Sequence, residues 1–161
     1  MPYRFVPMTR AFAQAVAAWH YDGEYSFYDF DQDPEDRAEL LDAANWENRY
    51  FAALDGAGNL VGFFCCERRG DDAELGLGLE PDQTGEGRGL EFVEAGLEFA
   101  RKRFHPGRFV LQVARFNRRA IRVYEKLGFR IERTFTNRTN GGEFEFVFMA
   151  REEEPSSPRV S

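Results

Sequence analysis

Chemistry in this chain is most legible at Thr84-Gly-Glu-Gly-Arg-Gly89, where glycines at alternate positions follow a short alternating segment and lead into an amphipathic stretch. A turn of this kind lets successive backbone N–H groups converge at the positive end of a helix. It binds a phosphate or pyrophosphate without a charged side chain. A second group, Trp19, Tyr21, Glu24, Tyr25, Phe27, Tyr28 and Asp29, mixes aromatic faces with carboxylates. Charge and cation–π contact suit such a group to a cationic amine. The same composition also suits a packed cover over the core, and composition does not separate the two. Cys65 and Cys66 are adjacent, so in a strand they point to opposite faces and do not pair with each other. His20 and His105 lie far apart beside loops; neither is given a role, and no metal site is expected.

The elements that must position these residues follow from periodicity and punctuation. Residues 3–8 read as a strand, and Thr9 caps a helix reaching residue 19. Residues 21–30 show no clean period. Pro34, Glu35 and Asp36 open a second helix that ends near Leu41. Strands at 50–54 and 60–68 flank a hairpin loop. Residues 73–80 alternate strictly, with Leu75, Leu77 and Leu79 on one face and Glu74, Gly76, Gly78 and Glu80 on the other. The strongest helix spans 89–104, and Pro106-Gly107 stops it. A buried strand at 109–114 follows, and Asn117 then caps a helix through residue 127, with Gly128 just past its end. Strands at 129–138 and 143–150 close the chain. The reading is one domain over residues 1–151 and a charged, proline-bearing tail over 152–161, expected to be disordered.

Composition narrows the class. With 161 residues, 43% hydrophobic and 30% charged, the chain is long enough for one core without staples. Its 17 phenylalanines suggest that the core is aromatic. No apolar run approaches the ~20 residues a membrane helix needs, and no signal-peptide pattern opens the chain, so a cytoplasmic protein without a membrane partner is expected. A net charge of −7 argues against nucleic acid and leans toward a cationic partner. A P-loop is excluded because no Gly-Lys-Ser/Thr is present. A nicotinamide site fits poorly, because no strand end places an acid ~20 residues after the glycines.

Two separated motifs in the right order resemble the GCN5-related N-acetyltransferase (GNAT) superfamily over roughly residues 3–150. The first is Thr84-Gly-Glu-Gly-Arg-Gly89, similar to that family's Gln/Arg-x-x-Gly-x-Gly/Ala pyrophosphate loop. The second is Asn117-Arg-Arg-Ala-Ile-Arg-Val-Tyr-Glu-Lys-Leu-Gly-Phe129, matching Asn-x-x-Ala-x-x-x-Tyr-x-x-x-Gly-Phe. Two departures stand in the loop: Thr84 replaces the usual Gln or Arg, and Glu86 stands where a basic residue is commoner.

The resemblance implies an α/β (α+β) GNAT fold: a mixed, mostly antiparallel sheet of about seven strands flanked by about four helices. It implies acetyl-CoA as cosubstrate, held by Thr84, Gly85, Glu86, Gly87, Arg88, Gly89 and Leu90. The Leu77 and Leu79 backbone would pair with the pantetheine arm, and Asn117 and Tyr124 would contact the cosubstrate. Tyr124 is assigned the protonation of the leaving thiolate. The general base stays open: Gln112 occupies a common site for a family glutamate, leaving Glu74, Glu80, Glu24 or a water relay. Tyr21, Glu24, Tyr25 and Tyr28 are the candidate acceptor contacts. The expected activity is acetyl transfer to a primary amine of a small molecule or peptide by direct attack in a ternary complex. The alternative is a degenerate acetyl-CoA-binding sensor. Homodimers are common in the resembling family, and the sequence itself does not fix oligomeric state.

Overall fold

The computed structural model describes residues 3–84 and 87–153. Its elements in chain order are β1 (Arg4–Pro7), α1 (Arg10–Ala17), α2 (Pro34–Leu41), β2 (Tyr50–Leu54), β3 (Leu60–Arg69), β4 (Asp72–Leu79), α3 (Arg88–Phe104), β5 (Arg108–Ala114), α4 (Arg118–Lys126), β6 (Arg130–Thr139) and β7 (Gly142–Glu152). Local chemistry explains several boundaries. Thr9 Oγ1 accepts from the Phe12 N–H at 3.2 Å. Asp33 caps α2 by accepting from the Glu35 and Asp36 N–H groups, with Pro34 at the first helical position. Asn117 Oδ1 accepts from the Ala120 N–H at 3.2 Å, and Gly128 leaves α4 at φ +94°.

The aperiodic stretch after α1 folds into two 3₁₀ turns, Gly23–Tyr28 and Phe30–Gln32. Such turns repeat every three residues, so a 3.6-residue period fails to register there, and Tyr25 and Tyr28 fall on one side.

All seven strands join one sheet in the order β1-β2-β3-β4-β5-β7-β6. Every pairing is antiparallel except β4 with β5, which is parallel and spans only Asp72–Glu74 against Arg108–Val110. Beyond Glu74 the two strands part. Arg108 reinforces the join by donating to Asp72 through Nε at 3.1 Å and Nη2 at 3.0 Å.

The sheet carries a core on each face. On one side Phe51, Phe64, Leu75, Phe109 and Leu111 pack with Val93 and Leu97 of α3 and with α4. Each such fully buried phenylalanine contributes roughly 1.5–3 kcal/mol. Phe99 gathers the aromatics here, stacked on Phe5 at 5.0 Å and edge-on to Phe51 at 4.9 Å. On the other side α1 and α2 bury Val16 and Leu40 with Tyr50, and Phe63 and Cys65 pack at the margin. Adjacent Cys65 and Cys66 do face opposite ways: Cys65 meets the second core and Cys66 the first.

Two residues assigned to the expected tail, Glu152 and Glu153, take part in the fold. β7 runs through Glu152, and the Glu153 carboxylate accepts from Arg101 Nε at 2.7 Å and pairs with Arg151 Nε at 3.2 Å. The remainder of the expected tail, 154–161, lies outside the described residues.

Candidate active site

The parting of β4 from β5 creates a cleft whose walls are backbone. The Glu80 N–H donates to Val61 O at 2.8 Å, so Glu80 bonds toward β3. Alternation along an antiparallel strand then turns Gly78 and Gly76 toward β3 as well, and turns the N–H and C=O of Leu79 and Leu77 toward β5. β5 is no longer alongside at that point. The Leu77 and Leu79 peptide groups therefore border the cleft, where an extended ligand can pair with them as a strand would.

The glycine turn stands at the mouth. Gly87 is the residue before α3 and takes the left-handed conformation, φ +78°. Thr84 Oγ1 donates to Pro81 O at 2.9 Å, and Arg88 Nη1 donates to Asp82 O at 3.3 Å, so both side chains brace the turn. Gly89 and Leu90 lie in the first turn of α3, and a Cβ on Gly89 would meet Val123 of α4 at 3.9 Å. Gly85 and Glu86 lie outside the described residues.

From the cleft a cavity of about 680 Å³ extends over the second sheet face. Gly76 and Gly78 form part of its floor, beside Phe63 and Cys65. The two glycines differ. A Cβ at Gly78 would lie 2.7 Å from the Phe63 ring, whereas one at Gly76 meets only Cys65 Cβ, at 3.7 Å. Gly76→Leu is therefore expected to fold normally and fill the floor. Acceptor KM should rise at least tenfold while the melting temperature moves by only a few degrees; an unchanged KM would place the acceptor elsewhere.

Charged groups on the floor compensate one another. Arg49 Nη2 meets Glu67 at 3.0 Å, Arg69 Nη2 meets Glu67 at 2.6 Å, and Arg69 Nε meets Glu74 at 2.9 Å. Gln112 Nε2 donates to the other Glu74 oxygen at 3.2 Å. Glu74 thus lines the cavity with both oxygens engaged. Gln112, standing where a family glutamate was sought, serves as its partner. Glu24 is exposed, and neither it nor Glu80 lines the cavity. Glu24, expected among the acceptor contacts, is thus an exposed residue of the roof turn.

Tyr21, Tyr25 and Tyr28 all line the cavity from the roof, but each hydroxyl or ring has protein partners. The Tyr21 hydroxyl donates to Leu79 O at 2.6 Å, which ties the roof to the cleft edge. Burial pushes the Tyr21 phenol well above its ordinary range, so it stays a donor. Arg119, itself exposed, lies over the Tyr25 ring at 4.4 Å from its centroid, and both line the cavity. The Tyr28 oxygen accepts from the Ala114 N–H at 3.3 Å and from Asn117 Nδ2 at 3.2 Å. Asn117 is thereby engaged at both ends of its amide, capping α4 and holding Tyr28.

Tyr124 also lines the cavity and packs edge-on to Phe129 at 5.7 Å. Its hydroxyl makes no hydrogen bond among the described residues. Burial first, and the neighbouring Tyr28 second, push its ionisation well above the ordinary phenol range.

Two further features shape the roof and the far wall. Asp29, 7% exposed, accepts from the Tyr21 N–H at 2.8 Å and pairs with His20 Nδ1 at 3.0 Å. The hydrogen bond to Asp29 raises the His20 pKa above its ordinary value. The tip of the β6–β7 hairpin closes the far wall: Thr139 Oγ1 donates to Asp33 at 2.7 Å and Asn140 Nδ2 to Phe27 O at 2.5 Å. The His20–Asp29 bond spans nine residues and leaves no periodic signal, whereas Thr136–Glu143 reads from the sequence as a further wall of the same site.

The acetyltransferase (GNAT) domain family matches residues 4–130. This chain belongs to the GNAT family. The GNAT acyltransferases use acetyl-CoA as cosubstrate. A mycothiol acetyltransferase of Salinispora tropica is 35% identical over 86 residues, which is 50% of this chain and 28% of that relative's length. The spermidine N-acetyltransferase of Vibrio cholerae, solved in complex with CoA and spermine, superposes with a TM-score of 0.76 at 18% identity, covering 95% of this chain and 96% of that one. A GNAT-family acetyltransferase from Bacillus anthracis gives 0.75 at 20% identity, with 96% of each chain covered. Likeness at this identity is a likeness of fold. Among the described residues no helix is long and apolar enough to cross a membrane.

The GNAT cosubstrate fits what this chain presents. The β4–β5 cleft offers strand-like pairing at Leu77 and Leu79. The α3 N-terminus and the left-handed Gly87 offer donors to a pyrophosphate.

Proposed function

We propose that this protein transfers acetyl from acetyl-CoA to a primary amine of a small molecule or peptide, by direct attack in a ternary complex. The observation that carries this reading is the continuity of the β4–β5 cleft with the acceptor cavity, with Tyr124 lining their shared space. Acetyl-CoA supplies an acyl group activated as a thioester. Residues around Gly87 hold its pyrophosphate. The Leu77 and Leu79 peptides align the pantetheine arm, and a cleft-facing N–H there stabilises the oxyanion. Tyr124 gives its proton to the departing sulfur. Because Glu74 has both oxygens engaged, and Glu24 and Glu80 stand outside the cavity, the ammonium proton leaves through water to bulk solvent.

Turnover is tested by free-CoA release across polyamines, aminoglycosides, amino acids and peptide N-termini. Release with at least one acceptor is expected. Acetyl-CoA binding with no turnover on any of them would favour a sensor.

The roof also sets a pH dependence. Asp36, in the first turn of α2, lines the cavity with its carboxyl pushed up to about 6, by desolvation first and by Asp33 second. A folded-state value above the ordinary ~3.9 means that ionised Asp36 costs stability, so this contribution is lost as pH rises through about 6. Over the same window the wall gains negative charge. KM for a cationic acceptor is expected to fall as pH rises through that value, and Asp36→Asn to flatten the fall in steady-state kinetics. An undiminished slope in the variant would remove Asp36 from acceptor binding.

A further inference from the structure

Tyr28 occupies an unusual electronic position for a roof residue. Its phenol oxygen accepts two hydrogen bonds, from the Ala114 N–H at 3.3 Å and from Asn117 Nδ2 at 3.2 Å. A phenol oxygen has two acceptor sites, so both are filled and only the O–H proton remains to be directed. Among the described residues that proton goes to no acceptor, and the residue lines the cavity. Toward a ligand Tyr28 is therefore a donor. Its hydroxyl can bond to an atom carrying negative charge, and its oxygen has no lone pair left for an ammonium.

Its location indicates which atom. Ala114 ends β5 and Asn117 caps the nine-residue α4, so the Tyr28 oxygen sits at the N-terminal end of that helix. Tyr124 lies seven residues after Asn117, two turns along the same face. Side chains on a helix lean toward its N-terminus, so the Tyr124 ring runs back toward Tyr28. Both residues line the same cavity. The Leu77 and Leu79 peptides stand on the opposite strand, where the acyl oxygen is served.

We propose that Tyr28 is a second catalytic donor of this cleft, directing its O–H at the sulfur that Tyr124 protonates. The proposal rests on Tyr124 being the acid. As the carbon–sulfur bond breaks, its electron pair passes to sulfur and the Tyr124 proton follows, leaving a phenolate. The new amide nitrogen loses its extra proton to water, and water returns one to Tyr124. Tyr28 keeps its own proton throughout and lowers the energy of the charge passing between sulfur and the Tyr124 oxygen. The two bonds that Tyr28 accepts make it a stronger donor, and the helix end favours negative charge beside it. Asn117 is then a positioning residue acting through Tyr28.

The test compares Tyr28→Phe, Tyr124→Phe and the double variant in kcat, together with calorimetric affinities of the full chain for CoA and for desulfo-CoA, which lacks the sulfur. Tyr28→Phe is expected to lower kcat by on the order of 10²-fold with acetyl-CoA affinity nearly unchanged. In the Tyr124→Phe background the same change should cost much less, because both groups act on one atom. The preference for CoA over desulfo-CoA should shrink in Tyr28→Phe, and Tyr28→His, which keeps a donor, should restore part of kcat. Unchanged kcat in Tyr28→Phe, or an equal loss in both backgrounds with the CoA preference intact, would overturn the proposal. Full turnover in Tyr124→Phe alone would overturn the acid assignment and this proposal with it, before any Tyr28 variant is made.

Discussion

Replacing Tyr124 with phenylalanine is expected to lower kcat by on the order of 10²–10⁴-fold, the usual contribution of a positioned acid, while acetyl-CoA affinity stays within a few-fold. The change removes a single oxygen. Its ring keeps the edge-on contact with Phe129, and the hydroxyl has no hydrogen-bond partner among the described residues to leave behind. Little besides proton donation is therefore at risk. Burial, with Tyr28 beside it, holds the phenol protonated well above the ordinary range, so the acid is loaded at any working pH. The loss should accordingly be flat across the pH profile. Separate measurement of kcat and of calorimetric Kd decides it: equal losses in both would indicate a packing role, and unchanged turnover would strip Tyr124 of the acid role.

The second large effect is expected at Gly87. A valine there should abolish measurable acetyl-CoA binding, and the reason is conformational. Among the described residues nothing lies within 4 Å of the Cβ that a substitution would add. The backbone, however, stands at φ +78°, which costs an ordinary L-residue about 1–2 kcal/mol and a β-branched one more. If the turn relaxed when free and had to regain this shape for the ligand, that strain would weaken binding by about tenfold or somewhat more. The turn is exposed and starts α3, so it relieves the strain by moving, and its N–H groups then no longer converge. Gly87→Ala should fall between the two. Melting temperatures close to the parent would confirm that only the loop has changed, and retained affinity in the valine variant would sink the assignment of this turn.

Comparison of these sites with the sequence shows where local information ends. The alternation of residues 73–80 marked β4 and its two faces, because a strand side chain's direction is set by its immediate neighbours. Thr9, Asn117 and Gly128 marked helix ends for the same reason. Asp33 was overlooked as the cap of α2 because Pro34 already signalled the start. The roof was not legible. Tyr21 reaches Leu79 across 58 residues, and Tyr28 reaches Ala114 across 86, through bonds that leave no period in the chain. Glu74 was named as a candidate base on type and face alone. Its partners Arg69 and Gln112, on strands either side, become visible only once the sheet is assembled. Asn117 was legible as a helix cap, and its bond to Tyr28 appears only in the assembled site.

The brief parallel join of β4 and β5 has a mechanical consequence. In the strand ladder one half of the sheet, β1 to β4, meets the other, β5 to β7, through three residue pairs at one end, braced by the Arg108–Asp72 and Gln112–Glu74 bonds. The two halves are leaves on a hinge, and the leaves fall open toward the glycine turn. An extended molecule lying between them supplies the rungs that the strands omit there, so that occupancy completes a ladder the chain leaves unfinished. Beneath that gap the shared core of Phe64, Leu75, Phe109 and Met149 holds the leaves together, so a ligand adds to a cohesion already present.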